Sequence, residues 1–158
     1  MNKFYLIALM AILGGCATEY QKADVFSYGF NDTQLAENVF EVSFQGGEFD
    51  DAQRVRDFAM LRASEVTLER GFNYFKILGE DDQTEYSHYT TGGHTTNRYN
   101  AATNTTQAYT TRVRTHNSTE FGSTKRIMCY TEEPEGVFVY DAEFVANSIR
   151  NKYGIAPG

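Results

Sequence analysis

The 158-residue chain has two cysteines and three histidines, and their spacing decides what chemistry those side chains can share. A zinc site draws on closely spaced cysteine and histidine pairs. His88, His94 and His116 form no short regular pair, and no cysteine pair accompanies them. The reading is solvated histidines, no metal and no cofactor. Serine and threonine are abundant, yet there is no Gly-x-Ser-x-Gly elbow, Ser-x-x-Lys or Cys–His arrangement to activate a nucleophile. Thr91-Gly92-Gly93 lacks the lysine and following helix of a phosphate loop. These absences point away from an enzyme.

Three groups of polar side chains are better placed to bind than to react. Arg62 and Glu65 interrupt an apolar helical run three residues apart, with Glu69 in helical reach. They form either a polar site beneath a sheet or, the preferred reading, an intrahelical ion pair at the core margin. Arg112 and Arg114 alternate with Thr110 on one strand face, beside Lys125-Arg126 on a neighbouring run. Such a strip suits carboxylate or phosphate groups, or is a solvated face cross-paired with Glu120 or Glu41. Tyr86, Tyr89, Tyr99 and Tyr109 lie among Thr, Asn and Gly. Tyrosine gives large contact area at low entropic cost, and its small polar neighbours give adaptable hydrogen bonds. The expected partner is an envelope protein or glycan, with a small-molecule or metal-binding module as the alternative.

The first sixteen residues supply the address. Lys3 precedes an uncharged apolar run from Phe4 to Leu13, then Gly14-Gly15-Cys16. The run suits a signal-peptide core and is too short for a resident membrane helix. The ending resembles a bacterial lipobox, which implies cleavage after residue 15 and acylation of Cys16. Ala17 is not the aspartate that signals inner-membrane retention, so the expected place is the periplasmic face of the outer membrane. Residues 16–26 are then the lipidated N-terminus and tether, and 27–158 the domain. Removing residues 1–15 takes away one lysine and no acid, so the formal charge of −7 becomes −8. That balance opposes nucleic-acid binding, which needs clustered cations. The membrane contact is then the lipid on Cys16. Cys129 is left without a disulfide partner and reads as a small buried hydrophobe.

The elements that carry these residues follow from hydropathy patterning. Phe40, Val42 and Phe44 alternate on one face of a strand. Asp50 is the expected N-cap of a helix through Glu69, with Gln53 completing a capping box. Val55, Phe58, Ala59, Ala63 and Val66 face the core, widened by Met60, Leu61 and Leu68. Residues 73–79 read as a strand ending at the acidic turn Glu80-Asp81-Asp82. Residues 84–108 show no apolar period and read as an exposed, mobile insertion. Alternation returns over 107–116 and 123–131, suggesting a hairpin turning at 117–122. Residues 137–139 suggest a short strand, and Asp141 caps a last helix, with Phe144, Val145 and Ile149 facing inward, Tyr153 as a candidate extension of that stripe, and Gly154 stopping it. The expectation is one α+β domain, two helices covering one face of a mostly antiparallel sheet, in the order β-α-β-(long loop)-β-β-(β)-α.

Several of these segments come in an order with a precedent: Tyr28-Gly29-Phe30, Thr33-Gln34-Leu35, Val42-Ser43-Phe44-Gln45-Gly46, Leu61 to Leu68, and Gly71-Phe72-Asn73-Tyr74-Phe75. Together with the lipobox, residues 27–78 resemble an uncharacterised family of small proteobacterial lipoproteins. The resemblance implies localisation and domain identity, and transfers no catalytic residue.

Overall fold

The computed structural model describes residues 19–23 and 28–156; the expected signal peptide and Cys16 lie outside them. The described residues form two compact units: one takes the chain up to Thr84 and from Glu120 onward, the other is Glu85–Thr119.

The first unit is α+β. β1 (Gly29–Ala36) pairs antiparallel with β2 (Val39–Gln45), and β2 pairs antiparallel with β6 (Arg114–Tyr130). The sheet order is β1-β2-β6-β3-β7, with β3 at Tyr74–Thr91 and β7 reduced to Tyr140–Asp141. β3 and β6 contribute residues to both units. One face of the sheet carries α1 (Ala52–Glu69) and α2 (Ala142–Tyr153). Phe40, Val42, Phe44, Ile127 and Cys129 are buried there against Val55, Phe58, Ala59, Ala63 and Val66, as the alternation and helical spacing predict.

Two polar residues on the buried face of α1 satisfy themselves locally. Ser64 donates to the Met60 carbonyl at 2.9 Å and Thr67 to the Ala63 carbonyl at 2.7 Å. The cap falls one residue later than expected: Asp51 Oδ1 accepts from the Arg54 amide at 2.8 Å. Asp50 is occupied by the preceding turn, where its Oδ2 accepts from the Gly47 amide at 2.8 Å. That turn is tight enough that a Cβ on Gly46 would lie 2.6 Å from Val55 Cγ2. At the far end, Asp141 caps α2 through the Phe144 amide, and Gly154 closes it in the left-handed conformation (φ 67°). On α2, Ile149 and Tyr153 pack on the core as expected, but Phe144 stands in solvent, and the fully buried positions are Ala142 and Ala146. Two alanines let α2 approach closely where larger residues would hold it off.

The second unit is exposed as expected, but it carries paired strands where a loop was expected. β4 (Thr95–Asn100) and β5 (Thr105–Thr110) form an antiparallel pair, with Thr95 opposite Thr110 and Asn100 opposite Thr105. Tyr99 hydroxyl donates to Asn104 Oδ1 at 2.9 Å across the connecting turn, where Asn104 adopts a positive φ of 51°. Gly92 (φ 93°) passes under Arg112, and a Cβ there would be 2.3 Å from the Arg112 carbonyl oxygen.

Three further expectations change. The acidic run at 80–82 lies within β3, and residues 117–122 continue through β6 instead of turning. Gly122 faces Gln45 in the β2–β6 ladder, where its missing side chain admits the Gln45 amide. Residues 137–139 are not a strand; the short edge strand is Tyr140–Asp141. Of the expected tether, Glu19–Ala23 is docked. The Phe30 amide donates to the Gln21 carbonyl and the Ala23 amide to the Phe30 carbonyl, both at 2.8 Å.

Candidate functional site

The three groups of candidate residues are divided between the two units. Arg62 and Glu65 sit in the first, where α1 crosses β1 and meets α2. Arg62 is one turn from Val66 and so starts at the core margin; its side chain is only 10 % exposed. Its guanidinium reaches past Glu65 to two other carboxylates. Nε and Nη2 donate to Asp32 Oδ1 at 3.0 and 2.7 Å, and Nη1 and Nη2 donate to the two oxygens of Glu69 at 2.8 and 3.1 Å. Glu65 is a weaker partner at 3.5 Å. The expected Arg62–Glu65 pair is therefore one edge of a larger network. Glu65 instead joins Arg150 of α2 at 2.7 Å and accepts from the Tyr20 hydroxyl. Arg62 also lies 4.6 Å over the Phe30 ring.

The protonation states follow from this packing. Burial opposes the Arg62 charge, but the Glu69 and Asp32 carboxylates outweigh it and hold its pKa above the ordinary value. Burial, then the bonded Glu65 carboxylate, pushes the Tyr20 phenol above its usual range, so it is a donor and never a base at neutral pH. An open cleft of about 530 Å³ runs beside the network, lined by Tyr20, Phe30, Leu68 and Ile155 with its charged members. Its arginines are matched by carboxylates and its tyrosine is held protonated. Such a network positions β1, α1 and α2 against one another and supplies no activated nucleophile.

A second network was hidden from the sequence. Lys125 lies on the helix-covered face, 3 % exposed, and its ammonium meets Glu80 at 2.9 Å. Ser123 donates to Asp82 at 2.6 Å on the same face, and Arg56 of α1 is 3.7 Å from Asp82. Phe75 and Ile77 pack into the core, so the alternation of β3 slips by one place between Ile77 and Glu80. Arg126, on the opposite face, pairs with Glu41 at 2.9 Å, one of the two acids expected for it. The proposed basic strip is thus broken: Lys125 is buried, and β5 ends at Thr110 while Arg114 opens β6, so Arg112 and Arg114 share no strand face with Thr110.

The tyrosines lie in the second unit and are 55–73 % exposed. The β4–β5 register places them on opposite sides: Tyr99 shares a face with Asn97, Ala108 and Thr106, and Tyr109 with Arg98, Thr96 and Gln107. Tyr86 and Tyr89 differ by three positions along β3 and so alternate as well. Tyr89 stacks on His116, ring centres 4.9 Å apart and planes 10° from parallel, and Thr91 Oγ1 lies 3.4 Å from His116 Nε2. His116 is therefore a ring partner, which spacing alone did not reveal. Among the described residues, no group of three or more His, Cys, Asp and Glu side chains is placed to hold a metal ion. No helix among them is long and apolar enough to cross a membrane.

Compared with family models, curated proteins and solved structures, the chain has no match in any of the three.

Proposed function

We propose that this chain is a lipoprotein anchored through Cys16 in the outer membrane, facing the periplasm, and that it is a non-enzymatic binding module for another envelope component, protein or glycan. The observation that carries this reading is the second unit. Its strands are regularly paired, yet Tyr86, Tyr89, Tyr99 and Tyr109 all stand in solvent. Tyrosines presented on ordered backbone lose little entropy when a partner covers them, and threonine and asparagine beside them offer donors and acceptors. Arg98, Arg112 and Arg114 add cations to the same unit. The resemblance of residues 27–78 to small proteobacterial lipoproteins supports the address.

The test is in-cell crosslinking of the full lipoprotein followed by recovery and mass spectrometry, beside a variant carrying Tyr86→Ala, Tyr89→Ala, Tyr99→Ala and Tyr109→Ala. One dominant envelope component, lost with the four tyrosines, is the expected result. Undiminished recovery with the variant would remove this surface from the function.

A further inference from the structure

The segment that follows the anchor is part of the fold, and this fixes how far the domain can stand from a membrane. Lys22 bridges Phe30 in parallel, and two backbone hydrogen bonds hold Gln21 and Ala23 to that residue. Gly29 permits the approach: with φ at 115°, a Cβ there would lie 2.4 Å from the Gln21 carbonyl oxygen. The Tyr20 ring then enters an aromatic cluster, with centres 4.9 Å from Phe30, 5.4 Å from Phe58 and 6.2 Å from Phe44. Its hydroxyl is bonded to Glu65.

We infer that the domain rests directly on the phospholipid surface, through the face that carries Glu19–Lys22 and the C-terminal Gly154–Ala156. The inference rests on the proposed acylation of Cys16. Four residue steps separate Cys16 from Tyr20, so even a fully extended chain spans no more than about 14 Å between them. The headgroup layer of one leaflet takes up about 5–7 Å of that. Had the tether run undocked to Tyr28, twelve steps would allow about 40 Å. Clefts open on both sides of Tyr20, and Ile155 and Ala156 line each of them. Ile155 belongs to the same apolar cluster as Tyr20 and Phe58, which places the residues after α2 beside the segment at 19–22. Arg54 lines the smaller cleft, stacked over Phe58 and Tyr153 at 4.9 and 5.4 Å and ion-paired with Asp50 at 3.3 Å.

The experiment uses the full lipoprotein with Ala156→Cys, labelled with a small fluorophore and reconstituted in phosphatidylethanolamine/phosphatidylglycerol vesicles bearing a headgroup nitroxide quencher. Cys129 is buried and does not compete for the label. A second form carries twenty Gly/Ser residues between Thr18 and Glu19, leaving the docked segment intact. Such a spacer adds a mean reach of about 25 Å, so quenching is expected to be at least about twofold stronger without it. Intact mass reports acylation of both preparations. Equal quenching on acylated chains overturns this inference alone; an unacylated Cys16 overturns the anchor reading and this inference with it.

Discussion

β2 and β4 are antiparallel strands of nearly the same length, seven residues and six, yet β2 buries every second side chain and β4 buries none. β2 is held by the layer beneath it, where Phe40, Val42 and Phe44 meet α1. β4 is held by its ladder to β5 and by cross-strand contacts such as Thr95 with Thr110, whose hydroxyls lie 2.9 Å apart. Period-two alternation in a sequence records burial of one face, not strand conformation itself. A strand wet on both faces leaves no such record.

The contrast is breakable by substitution. Phe58→Ala, beneath β2, is expected to cost about 4 kcal/mol in urea unfolding, while Tyr109→Ala on the ribbon costs under about 1 kcal/mol. Similar losses would mean the second unit has a core of its own. Next in size, Arg62→Ala strands the Asp32 carboxylate and takes the guanidinium from Glu69; it should cost about 3 kcal/mol, against under about 0.5 kcal/mol for Arg98→Ala. An unchanged melting temperature for Arg62→Ala would contradict the network. Gly92→Ala drives a Cβ into the Arg112 carbonyl. It should speed amide exchange throughout 95–110 while leaving the exchange of β2 alone, and acceleration in both would join the units into one cooperative block.

The smallest effect is electrostatic. Burial raises the Asp57 pKa, but hydrogen bonds from Lys152, Tyr153 and Gln53 outweigh it and leave the carboxyl below its ordinary value. A depressed carboxyl contributes stability that is complete above the unfolded pKa and is lost as pH falls through it toward the folded one. Asp57→Asn should therefore flatten part of the decline in stability below about pH 4, the ordinary carboxylate range. An acid limb identical to that of the unsubstituted protein would refute this.

Legibility followed the same physics. The burial of Phe40, Val42 and Phe44, the face of α1 except Leu68, which is exposed, and the caps of α2 were plain from residue spacing, because each depends on neighbours a few positions away. The one-residue shift of the α1 cap from Asp50 to Asp51 was decided by the Gly46-Gly47 turn competing for Asp50. Arg62 was singled out by its place in an apolar run, but its chief partner Asp32 is thirty residues distant and carries no local signal. Lys125 has the parity of Ile127 and Cys129, which marks the buried face, but a lysine reads as a surface residue, and the slip in β3 that delivers Glu80 to it cannot be seen in β6. Residues 84–108 misled because Thr, Asn and Gly resemble loop composition. Tyr86, Tyr89, Tyr99 and Tyr109 were singled out by residue type, not position, and all four stand in solvent.

Cys129 gives the molecule a clock. It is 1 % exposed between β6 and α1, with Thr67 Oγ1 3.4 Å from its sulfur, and burial holds its thiol above the usual pKa despite that hydrogen bond. In a soluble form lacking residues 1–16 it is the single thiol of the chain. A thiol reagent then reacts at the pace at which sheet and helix part. Labelling kinetics would time the opening of this layer in the unmutated domain, on a side chain that the second unit does not contain.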